Sequence, residues 1–487
     1  MRCLERLGKS NVFERTVFRW GVAGILLVTP LLVIAMISHR FDYDLNDLSK
    51  PILLTVGLLM TSGFFYLLIV TLPHFRVSPQ SRSWLLCIFL LGLLPRLAMF
   101  TSTPVLEDDS YRYLWDGGVS ANGFNPYRYS PQEVLDKNAR HIPAALRRLA
   151  MDADPIPKRI NYPWLRTIYP PLTQCAFALA HRITPWSLPA WRLVLLLMDL
   201  LTLTMIFKIL CRLNLPLTGL VIYWWNPLLI KEIYNSGHMD VLIFPFVLAA
   251  LYFSIHRRHL FAAGALGLAV GVKFWPVVLL PVVLRPLLRK PKYLVSAALI
   301  FGCISIGVLL PFLLSGLGPG SGFVAYQRSW EMNDALFMVI LWVAQHMQEL
   351  LNTHAFSAQR LARALVAAIL CFWTFWVVRK ADDDPLETSR RFLLVVAALF
   401  LLSPTQFPWY SLWLLPFLTI HARTSLLLLT PLLSLYYLRP YFSARGMAGI
   451  HDNGIVWLEF VPVWILLVRE YFKRRRSSLR FCIDVDS

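Results

Sequence analysis

Charge is scarce in this sequence. Only 15% of its 487 residues are Asp, Glu, Lys or Arg, and the acids are the scarcer kind, 28 against 47 basic residues. So little charge, beside 57% hydrophobic residues and a mean hydropathy of +0.56, excludes a soluble core. Paired cysteines are missing too. Cys3, Cys87, Cys175, Cys211, Cys303, Cys371 and Cys482 contain no CxxC pair, and several lie within apolar runs, so neither a disulfide framework nor a zinc site is indicated. No repeat of domain-like period, low-complexity tract or soluble domain is visible. Asn-x-Ser/Thr is absent as well, which with the compact loops leans to a bacterial protein.

What fills the chain is apolar runs of roughly 15 to 25 residues. About 20 helical residues cross a hydrocarbon layer of about 30 Å, and only helices satisfy their own backbone over such runs. The net charge of +19 raises nucleic acid as a partner, but the basic residues stand in short clusters between the runs. These are Arg2, Arg6, Lys9 and Arg15; Arg257 and Arg258; Arg285, Arg289, Lys290 and Lys292; Arg379 and Lys380; and Lys473 to Arg476. That is the positive-inside pattern, so no nucleic-acid partner is expected and both termini are placed in the cytoplasm.

About fourteen crossings follow, at 18–37, 52–72, 84–103, 188–210, 215–233, 239–256, 260–272, 274–288, 293–314, 360–379, 390–404, 408–421, 424–438 and 454–469. The first is long for a signal sequence and shows no cleavage site, so it is read as a retained span. Those within 260–288 and 390–438 are too short to cross singly and are expected to be half-helices or re-entrant pairs buried by neighbours. Segments 104–187 and 315–359 then face outward while every inside loop is short, which puts any chemistry on the non-cytoplasmic side. Within the first, Pro143 to Met151 reads as a short amphipathic helix on the membrane surface.

Directly after the third span stands Glu107-Asp108-Asp109-Ser110-Tyr111-Arg112-Tyr113-Leu114-Trp115-Asp116-Gly117, then Gly123-Phe124-Asn125-Pro126-Tyr127. Carboxylates at the mouth of a membrane cavity are partly desolvated, which raises their basicity and suits a general base acting on a hydroxyl. The plainer alternative is a solvated loop start whose acids keep that end outside.

The run DDxYRYLWDG followed by GxNPY resembles the first outer loop of bacterial GT-C glycosyltransferases that use polyprenyl-phosphate sugars. It is also similar to the catalytic subunit of the first mannosyltransferase of GPI-anchor assembly. Four later segments agree in order: Tyr169-Pro170-Pro171-Leu172, Asn226-Pro227 leading to Gly237-His238-Met239-Asp240, Lys273-Phe274-Trp275-Pro276, and Ser403-Pro404-Thr405-Gln406-Phe407-Pro408-Trp409-Tyr410. The resemblance covers about residues 84–440. It implies an all-α polytopic membrane protein, a GT-C-like bundle whose acidic motif supplies the catalytic carboxylate. Two departures stand out. Two spans within residues 1–83 precede the acidic loop's own span, and the two aspartates are adjacent, leaving open whether Asp108 or Asp109 is the base. Residues 441–487 add a last span and a basic cytoplasmic tail.

A lipid phosphate must be held and its leaving charge stabilised, which calls for cations. Arg112, Lys273 and Arg328 are the candidates, with Arg96 behind them; an ionisable residue inside a span, as Arg96 and Lys273 are, faces a cavity or partner unless it snorkels. His238 and Asp240 either bind sugar hydroxyls and orient the carboxylate or cap a helix. Tyr111 and Trp409 are further substrate-contacting candidates, and Trp330 and Tyr410 either line a sugar or lipid site or belong to the interfacial aromatic belt. Neither HxH nor HxxxH accompanies His238, so no metal site is expected, and a lipid monophosphate donor requires no cofactor.

The expected protein transfers a hexose, most simply mannose, from a polyprenyl-phosphate to a hydroxyl of a glycan or glycolipid acceptor. It sits in the cytoplasmic membrane of the cell with its site on the extracytoplasmic side. Rival readings are a transporter or lipid-linked sugar flippase, which also carries broken helices and intramembrane charge, and a non-catalytic subunit of a membrane complex.

Overall fold

The structure, a computed structural model, describes residues 11–73, 81–318, 320–350, 352, 357–380 and 384–485, with side chains from residue 17 to residue 473. The basic residues Arg2, Arg6 and Lys9, and Cys3, lie outside the described residues; the side chains of Arg15, Arg474 to Arg476 and Cys482 do also.

Helices α1 (Asn11–Ile37), α2 (Ile52–Thr71) and α3 (Arg82–Met99) come first and pack on one another and on the Tyr223–Trp225 segment. Trp20 meets Trp84 and Trp225 edge-on at 5.6 and 5.8 Å, and the Tyr66 hydroxyl donates to the Ile222 carbonyl at 2.7 Å. Helices α1 and α2 are therefore packed into the bundle. Arg96, in the last turn of α3, is fully buried. Its guanidinium pairs with Asp199 at 2.8 Å, donates to the carbonyls of Gly92 and Trp224, and lies 3.5 Å over the Trp224 ring.

Between the third and fourth long helices the chain forms a small unit from α4 (Asp109–Ala121), α5 (Ala144–Asp152) and α6 (Pro171–Ile183). It has its own core of Trp115, Val119, Val134, Ile142, Leu146 and Ile160. Helix α5 is the amphipathic one expected near 143–151, but its buried residues Leu146 and Ala150 face this core instead of an apolar surface outside the chain. Periodicity shows that a face is apolar, not what covers it. Gly117 is needed where α4 crosses α6, since a Cβ there would sit 2.5 Å from the Phe177 carbonyl oxygen. The Asn125 and Tyr127 side chains are also structural: Tyr127 donates to the Tyr169 carbonyl at 2.8 Å and Asn125 to Ser315 at 3.1 Å.

Helix α7 (Leu188–Arg212) leads to a break. Gly219–Asn235 and Met239–Ile255 are apolar enough together to cross a membrane but meet at 106°. The turn is Ser236-Gly237-His238, with Gly237 at φ +81°, a conformation that favours glycine. Carbonyls freed by the bend receive donors from α7: Arg192 reaches Asn235 at 2.6 Å and the Trp191 indole reaches Gly237 at 2.7 Å.

Among the described residues six helices are long and apolar enough to span: the Val17–Phe41 stretch, α2, α3, α7, Pro291–Ser315 and Ala358–Val378, or seven with the bent pair, and fourteen separate crossings are not seen among them. The segments at 215–256 join into the bent pair, and the stretch 408–443 is cut by Pro408, Pro416, Pro431 and Pro440 into helical pieces of three to six residues. The protein is all-helical in its regular structure among the described residues, as expected.

Candidate active site

A cavity of about 910 Å³ opens where α3 runs into α4. Its wall is drawn from distant segments: Phe41 to Lys50, Thr103 to Tyr113, Asn161 to Pro170, Met239 and Asp240, Lys273 to Trp275, Gly322 to Met332, and Leu399 to Trp413. The loop after α1 is thus part of the site, and Asp44 holds Arg159 at 2.7 Å, which in turn donates to the Tyr111 hydroxyl at 3.2 Å.

Asp108 and Asp109 both line this cavity. Asp109 begins α4, where the helix N-terminus favours a negative charge. The Asn161 amide joins the pair, donating to Asp108 at 2.6 Å and to Asp109 at 3.2 Å, while the Tyr113 hydroxyl donates to Asp109 at 3.2 Å. Burial, with the Asp109 charge beside it, pushes the Asp108 carboxyl up to about 6 against the lowering effect of the Asn161 hydrogen bond. The adjacent carboxylates therefore stand in different settings: Asp108 is raised by burial, and Asp109 opens a helix and accepts from a phenol.

Among the expected cations, Lys273 lines the cavity. Its ammonium bonds Asp240 at 2.6 Å and lies 4.2 Å over the Tyr410 ring; Trp413 donates to the same Asp240 oxygen at 2.6 Å. Arg112 lines it too, but donates to the carbonyls of Leu165, Asn161 and Tyr162, which makes it the clamp on the loop that carries Asn161. Arg328 is exposed on Gly322–Ser329 and does not line the cavity, and Arg96 is sealed against Asp199. Arg166, not among the cations expected from the sequence, lines the cavity, is about one-quarter exposed, and has its closest carboxylate, Glu133, at 3.9 Å. Its only sequence signal is its place just before Tyr169-Pro170-Pro171.

Trp409 lines the cavity and stacks on the His238 ring at 3.8 Å, so His238 lies one layer behind the wall. Trp330, Tyr410 and Tyr111 are wall residues, with Trp330 against Tyr162 at 4.6 Å. His238 Nδ1 is 3.0 Å from Glu232, and since a carboxylate can only accept, Nδ1 donates there. Nε2 has no hydrogen-bond partner; Glu107 and Asp109 stand 3.8 and 3.9 Å away. Burial, and the charges of Glu232, Asp109 and Asp108, push the Glu107 carboxyl well up against the pull of Lys231. Glu107 and the Lys231-Glu232 pair were not picked out, although two adjacent charges inside an apolar run are a signal in themselves. Asn235 fixes the approach, accepting from Val105 N–H at 2.8 Å and donating to Ser102 and Thr103.

A multi-pass bundle with an acid pair, a lysine and an aromatic wall around one cavity has the parts a membrane glycosyltransferase needs. The family model of the Alpha-(1->6)-mannopyranosyltransferase N-terminal domain, MptA_B family, matches residues 16–289, and this chain belongs to that family of mannosyltransferases. The match takes in α1 and α2 as well as the acidic motif. No curated protein and no solved structure matches the chain.

Proposed function

We propose that the protein moves one mannosyl unit from a polyprenyl-phosphate to a hydroxyl of a mannose-containing acceptor, on the extracytoplasmic face of the cytoplasmic membrane. The observation that carries this is the meeting of Asp108, held by Asn161, with Lys273 on the wall of one cavity in a mannosyltransferase family. Asp108 takes the proton of the acceptor hydroxyl as its oxygen attacks the anomeric carbon. The bond from that carbon to the phosphate oxygen breaks, and the lipid phosphate leaves with the electron pair, facing Lys273 and Arg166. Inversion to an α product requires a β-linked donor. The wall aromatics Trp409, Tyr410 and Trp330 offer faces for sugar rings.

The placement outside is supported by the hairpin of Phe244–Ile255 and His259–Val272. Asp240 and Lys273 stand at its cavity end, Arg257 and Arg258 at the other, where the positive-inside rule puts cytoplasm. Purified protein in nanodiscs, supplied with a short α-mannoside, is expected to transfer mannose from polyprenyl-phosphate mannose and not from GDP-mannose. Transfer from the nucleotide alone, or none from the lipid donor, refutes the proposal.

A further inference from the structure

We infer that Glu107, Asp109 and His238 form a binding site for one first-row divalent cation, Mn²⁺ or Zn²⁺, in the floor of the cavity. Three separate stretches of chain supply it: the approach to α4, its first residue, and the turn of the bent pair. Ligands from three stretches leave no HxH or HxxxH spacing in the sequence. One ligand atom from each of Glu107, Glu232 and His238 lies within 4.8 Å of the others.

His238 is the decisive member. It is fully buried, its Nδ1 donates to Glu232, and its Nε2 points at two carboxylates without a hydrogen bond to either. The separations of 3.8 and 3.9 Å are too long for hydrogen bonds yet shorter than two metal–ligand bonds of about 2.0–2.2 Å each, so an ion on Nε2 comes within reach of either carboxylate. Glu107 Oε1 is also buried without a partner. Glu232 then acts as the carboxylate that fixes the tautomer and orientation of a ligating histidine.

Charge points the same way. Glu107, Asp108, Asp109 and Glu232 gather here, whereas Lys231 stands 3.6 Å from Glu232 and Lys273 sits beside Asp240, across the cavity wall. One imidazole with carboxylates suits a first-row ion over Ca²⁺ or Mg²⁺, which take oxygen ligands. Asp109 and Glu107 line the cavity, so the ion's open positions face it and can take an anionic oxygen there.

The test is binding in the absence of any donor, so its failure leaves the transferase proposal standing. Chelator-stripped full-length protein in nanodiscs is titrated with Mn²⁺ and read by electron paramagnetic resonance. One ion per chain is expected, with an echo modulation from a coupled imidazole nitrogen. His238→Gln removes the modulation and Glu107→Gln weakens binding at least tenfold, while Asp154→Asn, remote and exposed, changes neither. No stoichiometric Mn²⁺ or Zn²⁺, a bound ion without nitrogen coupling, or equal binding in wild type, Glu107→Gln and His238→Gln overturns the site and leaves a proton and water network. Should His238→Gln fail to fold, the wild-type modulation and Glu107→Gln decide the matter.

Discussion

Asp108→Asn keeps the shape of the side chain and an oxygen to accept from Asn161, and it removes the base. A positioned general base is worth about 10² to 10⁴ in rate, or about 2.7 to 5.4 kcal/mol of barrier, so kcat is expected to fall by that factor. Loss of the charge also relieves repulsion from Asp109, so the variant should insert and remain folded. The pH profile gives an independent check. With the wild-type carboxyl at about 6, some nine-tenths of it is ionised at pH 7 and about one-tenth at pH 5, which predicts about a tenfold fall in kcat/KM across that interval. The direction follows from the role: a base works only when deprotonated. Asn161→Ala removes a hydrogen bond that favours the ionised form, so its acid limb should move to higher pH. Initial rates of radiolabelled mannose transfer from pH 4.5 to 8 measure all three. A flat profile from pH 5 to 7 together with Asp108→Asn within threefold of wild type would refute Asp108 as the base.

Lys273→Met keeps the apolar stem and removes the ammonium; losing a charge-assisted contact of about 1.5–3 kcal/mol should raise KM for the lipid donor about ten- to a hundredfold, and unchanged donor kinetics would end its phosphate role. Arg96→Leu should instead cost stability, about 3–5 kcal/mol, because Asp199 is left buried without its partner. Thermal unfolding of the purified protein reads this, and the Arg96→Leu/Asp199→Leu double variant should recover much of the loss. Single cysteines at Lys137 and Lys380 in a cysteine-free chain test orientation: an impermeant maleimide added outside should label 137 and not 380, and the reverse pattern would invert the topology.

The acidic run was legible because its chemistry is local: Asp108 and Asp109 are adjacent and open a helix, and the glycine after Asp116 marks a close helix crossing. Lys273 was legible as a charge in an apolar run. The same rule left Arg96 open between a cavity and a partner, and the partner proves to be Asp199, 103 residues away inside another run and apart from the cavity. Arg112 belongs to the motif, but its carbonyl partners at 161, 162 and 165 exist only once the loop folds back. Span counting gives no direction where prolines and one glycine turn an apolar run, because hydropathy registers length alone. Glu107, Glu232 and His238 converge through tertiary contacts, and no spacing in one stretch could announce them.

The pinned bend between Gly219–Asn235 and Met239–Ile255 bears on the rival reading as a carrier. Alternating access works by rocking broken helices about a fixed site. Here the joint has no slack: Arg192 and Trp191 hold its freed carbonyls, and the Asn235 side chain ties it to the strand of residues entering α4. Swinging one arm would strip these contacts, each at about 1–3 kcal/mol for the buried group left behind. A frame so stiff suits bonds exchanged in place, with reactants coming and going around a turn that stays still.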